Sequence, residues 1–292
     1  MKRFVGIVIE GIEDIAAEEV EGQMKEKGRI LFDKEKSEYK TIDIVYECDE
    51  EFSFETEEDV LNQIEKKKWQ IESPFRVTCR REGEHLFKAT DVERDIGEII
   101  YEQGYKVDLE HPRTTVFVDI REKKCTIGRL VGKALEKRGY RVRRNNTGIS
   151  ASLAAAMIKI AKINPEENLV DPYCKDGVIA IEAIQLGIKK VYATDPLENN
   201  IRNAKINAKI AKAGIVWGKK ESEIDNIVTN IWVSAKQKRS KEHLVDFLKE
   251  VRVKNKLVLL TNWIGIESRI ENDWTIEERR TIVRGKSKNY IM

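Results

Sequence analysis

Between Arg121 and Arg144 ten Lys and Arg residues stand against two Glu. Side chains at that density can neutralise a row of phosphates, and each neutralised phosphate releases counterions, giving nucleic-acid affinity that falls with salt. The candidate phosphate contacts are Arg80, Arg81, Lys123, Lys124, Arg129, Lys133, Lys137, Arg138, Arg141, Arg143 and Arg144. A plain solvated face is the alternative for any charge run. An uneven distribution argues for the first reading: residues 1–65 carry a net −12, 66–146 a net +7 and 147–292 a net +7, within a formal total of +2. Asp195 offers different chemistry. An acid at the end of a strand can accept hydrogen bonds from ribose hydroxyls; the other reading makes it the N-cap of the helix that follows. Metal chemistry is disfavoured, because Cys48, Cys79, Cys125 and Cys174 form no CxxC pair and His85, His111 and His243 have no companion at ligand or triad spacing. Free thiols and no metal are expected.

The elements that must position these groups fall into three stretches. Residues 3–9 read as a strand, and Ile12, Ile15, Ala16, Val20 and Met24 recur at helical spacing. A strand at 41–47 and a helix opened by a Thr56/Asp59 capping box close the first unit near residue 65. The second has strands at 75–81, 85–88, 114–120 and 125–130, with a helix capped by Thr90/Glu93 that buries Ile96, Ile99 and Ile100. A basic linker, 133–149, leads to a helix starting at Ser150. From 168 onward strands at 168–171, 191–195, 227–230 and 256–261 alternate with helices at 178–186, 197–212 and 241–250, and a closing pair lies near 274–290. That rhythm predicts a largely parallel sheet covered by helices on both faces. No apolar run reaches the roughly 18 residues of a membrane span, and the start of the chain is too quickly acidic for a signal peptide, so a cytoplasmic location is expected.

The segment VDPYCKDGVIAIEAI (170–184) resembles the cofactor loop of RNA methyltransferases that carry a THUMP domain. Upstream, RGYRVRR (138–144) and SASLAAAMIKIA (150–161) resemble that family's approach to its catalytic domain. Residues 75–130 resemble the THUMP domain, and 1–65 the ferredoxin-like domain before it. The resemblance implies an α/β chain: a ferredoxin-like domain at 1–65, a THUMP RNA-binding domain at 66–132, the linker, and a Rossmann-like class I methyltransferase domain at 150–292. It implies that the N-terminal modules hold tRNA and that the last domain uses S-adenosylmethionine (SAM), commonly to methylate the exocyclic amine of guanine. Carried onto this sequence, Asp171, Cys174, Gly177 and Asp195 would bind cofactor. Asn230 and Trp232 would hold the target base, the Asn side chain accepting from the amine and the aromatic ring stacking on a flipped base.

Three departures from the family pattern are visible. Lys175 stands where a loop glycine belongs and Asp176 where a small hydroxyl residue belongs; a left-handed non-glycine residue costs roughly 1–2 kcal/mol. Asn230-Ile231-Trp232-Val233 replaces N-P-P-Y, so no proline fixes the turn and Trp232 is expected to pack against the domain. The stretch between Gly214 and Asp225 is too short for the usual adenine-contacting acid; Glu221, Glu223 or Asp225 could substitute, though Asp225 is better read as the start of the next strand. Together these predict a tRNA-binding protein whose methyl transfer is weakened or lost, acting alone or with a protein partner in a modification complex. The alternatives are an active SAM-dependent tRNA methyltransferase, or a nucleotide-binding protein reusing the fold. The cations at 236–241 are a further place for phosphate contact.

Overall fold

A computed structural model of the chain describes residues 2–132, 138–219, 223–234, 239–284 and 287–292. In chain order the elements are β1 (Phe4–Ile7), α1 (Glu13–Val20), β2 (Gln23–Glu26), β3 (Arg29–Phe32), β4 (Ile44–Ser53), α2 (Glu57–Lys66), β5 (Phe75–Glu82), α3 (Ala89–Glu102), β6 (Thr114–Arg121) and β7 (Lys124–Leu130). There follow α4 (Ala151–Ala161), β8 (Asn168–Asp171), α5 (Val178–Gln185), β9 (Lys190–Ala193), α6 (Glu198–Ala211), β10 (Val216–Trp217), β11 (Asn226–Asn230), α7 (Ser240–Glu250), β12 (Lys256–Thr261), α8 (Glu267–Ile270), β13 (Arg280–Arg284) and β14 (Ser287–Ile291). Among the described residues these strands make two sheets, ordered β2-β3-β1-β4-β7-β6-β5 and β10-β9-β8-β11-β12-β14-β13. No helix among them is long and apolar enough to cross a membrane.

Contacts divide the chain into two compact units. The first comprises Met1–Gly6, Leu31–Glu35 and Ile44–Ala134; the second comprises Ile7–Ile30, Lys36–Asp43 and Leu135–Met292. That grouping differs from a division at residue 65. Ile9, Ile12 and Ile15 join the hydrophobic cluster built by α4 and α5, so burial draws residues 7–30 into the second unit. β4 instead pairs antiparallel with β7 from Tyr46 opposite Leu130 to Ser53 opposite Lys124.

In the first unit β5 runs parallel to β6, and β6 antiparallel to β7. One face is covered by α2 and α3, which bury Val60, Ile64, Val92, Ile96 and Ile100 against Val116, Val118, Ile120 and Ile127. The Thr56/Asp59 box forms as expected: the Asp59 amide donates to Thr56 Oγ1 at 3.3 Å and the Thr56 amide to the Asp59 carboxylate at 2.8 Å. The box expected at Thr90/Glu93 does not. Helix α3 starts two residues earlier, with Asp91 accepting from the Lys88 amide, because Glu93 is used across the unit as the acceptor for the Cys79 amide at 2.7 Å. No strand forms at 85–88, and Met24 lies in the exposed strand β2 rather than in a helix.

The second unit's sheet reads 3-2-1-4-5-7-6 in its own chain order. β8 to β12 are parallel and β14 enters antiparallel beside β12. The order reverses between β8 and β11, and in open α/β sheets ligands bind beyond the carboxyl ends of the strands at such a reversal. The loops after β8 and β11 are therefore the place to look for chemistry.

Candidate active site

The loop after β8 is held by charges on both of its unusual residues. Lys175 takes the left-handed conformation, φ +51°, in the glycine's place. Its amide donates to Asp195 Oδ2 at 2.9 Å and its ammonium to the Thr147 carbonyl at 3.1 Å. Burial pulls the ammonium's pKa down to about 8 against the pull of Asp171, Asp195 and Asp176. Asp176 is 1% exposed. One of its oxygens accepts from Arg141 Nε at 2.9 Å and Nη2 at 2.8 Å, and from the Asn145 amide. Gly177 then starts α5 at φ +81°, where a Cβ would come within 3.0 Å of Ala204, so only glycine fits without a shift.

Asp171 is fully buried at the end of β8. Oδ1 accepts from Thr229 Oγ1 at 2.9 Å and from the Tyr173 amide, while Oδ2 has no partner among the described residues. Burial raises its pKa to about 7. Asp195 lies ahead of α6 without being its N-cap, which is Leu197: it accepts from the Leu197 amide and Asn200 Nδ2, each at 2.9 Å, and it also holds Lys175. A carboxylate has about four acceptor positions, so one remains for a ribose hydroxyl. Cys174 is buried, and its amide donates to the Thr194 carbonyl. These residues fit a nucleoside cofactor at the carboxyl ends of β8 and β9: an orphaned buried oxygen, a glycine-only turn and an acid with spare capacity.

At the end of β11 and just beyond it stand the two positions expected to hold the base. Asn230 is 2% exposed, and its Nδ2 donates to the Thr147 carbonyl at 3.1 Å. That bond fixes the amide, since the flipped form would set two oxygens against each other. It leaves Oδ1 buried with no partner among the described residues. Thr147 is itself set by an Asn145–Gly148 turn: Asn145 Oδ1 accepts from the Thr147 amide and hydroxyl, and the Gly148 amide donates to the Asn145 carbonyl. The missing prolines have a substitute in Asn262, whose side chain accepts from the Val233 amide at 2.8 Å and donates to the Val233 carbonyl at 2.9 Å. Trp232 does not pack away as expected. It is 43% exposed and lines a cavity of about 610 Å³ with Thr147, Ile149, Leu153, Leu260 and Asn289, a size within the range of small-molecule sites. A separate cavity lies at the start of β12, between Trp274 and Lys162, away from the strands' carboxyl ends.

The adenine-contacting substitutes fare differently. Asp225 sits at the start of β11, accepting from the Asn168 amide at 2.9 Å, and Glu223 faces Lys254 nearby; neither is at the carboxyl end of the strand. Glu221 lies outside the described residues, as do Lys133, Lys137 and Lys236–Lys238.

Two of the candidate phosphate contacts are turned inward. Arg138 is paired with the buried Glu182 at 3.2 Å and donates to the Lys40 carbonyl, and Arg141 is committed to Asp176. Their guanidiniums hold the second unit together rather than facing solvent. Arg143 and Arg144 are exposed, with the backbone of Arg143 gripped on both sides by the buried Asn207. In the first unit Arg80 pairs with Glu82, Lys123 with Glu55, and Arg129 with Glu47 and Asp49. Arg81 reaches the Gly83 carbonyl and His85, and Lys124 is exposed. Counting charge along the chain could not show these pairings across strands. It also missed Asn145, Thr147, Asn262 and Asn289; Asn262 directly follows β12, and nothing in the sequence singled out the other three.

Residues 53–129 match the THUMP domain family, and residues 138–251 match the family described as UPF0020, RMKL-like, methyltransferase domain. The chain belongs to the THUMP-domain RNA methyltransferase family. It is 35% identical over 147 residues to a tRNA (guanine(6)-N2)-methyltransferase of Thermus thermophilus, covering 49% of this chain and 43% of that protein. It is 28% identical over 210 residues to the Archaeoglobus fulgidus protein of the same name, covering 62% and 53%. The alignments thus span about half the length of these relatives. The crystal structure of TrmN from Thermus thermophilus superposes with a TM-score of 0.77 at 22% identity, over 100% of this chain and 98% of that one, which establishes the shared fold.

Proposed function

We propose that this protein is a SAM-dependent tRNA methyltransferase acting on the exocyclic N2 amine of a guanine, the activity for which its relatives are named. The observation that carries the reading is Asn230 Oδ1: buried, unpaired, and fixed in direction by the bond from Nδ2 to Thr147. An unpaired buried acceptor costs roughly 1–3 kcal/mol, and a guanine amine hydrogen would relieve it. SAM, when bound, supplies an electrophilic methyl group. Accepting one amine hydrogen at Oδ1 stops rotation of the amine and holds its nitrogen in one orientation, and the Trp232 ring offers a stacking face for the flipped base. Asp171, Gly177 and Asp195 would hold the cofactor. The exposed pair Arg143 and Arg144 would meet tRNA phosphates, with Lys124 and the partly paired cations of the THUMP unit adding shape-directed contacts.

This reading replaces the expectation that transfer is weakened or lost. Two of the three departures that prompted it are met by a compensating contact: Lys175 and Asp176 by Asp195 and Arg141, the missing prolines by Asn262. The test is transfer of a labelled methyl group from SAM to tRNA by the wild-type protein and Asn230→Ala. The variant is expected to keep SAM affinity and lose ~10²–10³ in kcat/KM, the scale of removing one aimed hydrogen-bonding group. Equal rates for the two proteins would sink the role of Asn230.

A further inference from the structure

The cavity beside Trp232, which Asn230 meets through its bond to the lining residue Thr147, is also lined by a buried amide that methyl transfer, as described, leaves unused. Alternation along β14 puts Ser287 and Asn289 on one face, and both line the cavity. Asn289 is 5% exposed, yet its Oδ1 has no hydrogen-bond partner among the described residues. An apolar side chain could occupy that strand position without burying an unpaired carbonyl oxygen, which is costly. Donor-bearing side chains of Asn146, Trp232 and Ser287 line the same cavity, yet none of them bonds this oxygen. The atom marks a point where an N–H of a ligand belongs.

We propose that Asn289 Oδ1 accepts the N1–H of the target guanine and so selects guanine over bases that carry a lone pair at that ring position. The inference rests on the reading that this pocket methylates a guanine amine. Guanine presents two adjacent donors, N1–H and the N2 amine, and each needs its own acceptor; Asn230 serves the second and Asn289 the first. Adenine and 2,6-diaminopurine place an N1 lone pair where that hydrogen would be, opposing the oxygen of Asn289. A site built around a substrate's hydrogen bond rejects an analogue lacking it far more strongly than an apolar pocket rejects a small change in size.

The comparison to make is transfer to tRNA carrying guanosine or 2,6-diaminopurine at the methylated position, since both keep the N2 amine. Wild-type protein is expected to favour guanosine on the order of 10- to 100-fold in kcat/KM, the effect of one lost hydrogen bond to a buried acceptor. Asn289→Leu should lower the guanosine value by that factor and leave the diaminopurine value unchanged, while Asn289→Asp, which keeps an acceptor oxygen, should retain the preference. Preference preserved in the Leu variant, no preference in the wild type, or equal losses on both substrates in both variants would each overturn the assignment of Asn289 alone. A wild-type protein that methylates no guanosine at all would overturn the underlying function instead, and this inference with it.

Discussion

The loops after β8 and β11 both depart from the family pattern, and the structure repairs them by different means. After β8 the repair is ionic: Asp176 meets Arg141, and Lys175 stands among Asp171, Asp195 and the Thr147 carbonyl. After β11 it is neutral: one Asn262 amide holds both backbone groups of Val233 where prolines would have stiffened the turn. An ionic repair ties function to burial and pH, whereas an amide clamp does not. A motif lost in sequence can thus persist as geometry, provided some distant side chain fixes the same atoms.

The comparison breaks most visibly at Arg141. Its side chain is 9% exposed and the carboxylate it meets is fully buried, and removing one partner of such a pair costs about 3–5 kcal/mol. Arg141→Met should lose stability on that scale in a denaturant titration, and adding Asp176→Ser should restore most of it. A loss below ~1 kcal/mol would show that the ionic repair carries little. Asn262→Ala should cost less, about 1–3 kcal/mol, and should lower the transfer rate without changing SAM affinity; a weaker SAM affinity with normal turnover would place Asn262 in the wrong loop.

The smallest effect is expected at Lys175. Burial lowers its pKa to about 8, so between pH 8 and the unfolded value near 10.5 the unfolded chain holds a proton that the folded chain has released. Stability contributed at this position therefore rises with pH across that window. Lys175→Gly should abolish the rise, relieve a left-handed strain of roughly 1 kcal/mol, and tighten SAM binding by removing a cation from the loop that would hold a positively charged cofactor. Weaker SAM binding in that variant would mean the ammonium assists the cofactor.

Much of the frame was legible in sequence because its signals are local. The Thr56/Asp59 box, the Ser150 cap of α4 and the strand at 256–261 all follow from neighbours within a few positions. The placement of the candidate site was legible too: Asp171 and Asn230 close β8 and β11, and Asp195 lies two residues beyond β9. What escaped were partnerships between distant segments. Arg138 and Arg141 look like RNA contacts in a basic run, yet their carboxylates lie 44 and 35 residues away. Glu93 reads as a cap until the Cys79 amide is seen to need it. Trp232 gave no sign of its exposure, because that depends on what β14 and the Asn145–Gly148 turn leave open.

The most direct test of the account is nucleoside mass spectrometry of tRNA incubated with the wild-type protein and SAM. The account predicts N2-methylguanosine, formed by the wild type and nearly absent with Asn230→Ala. A protein that binds both SAM and tRNA but forms no methylated guanosine would contradict it, and would mean that the repaired loops preserve the shape of the site without its chemistry.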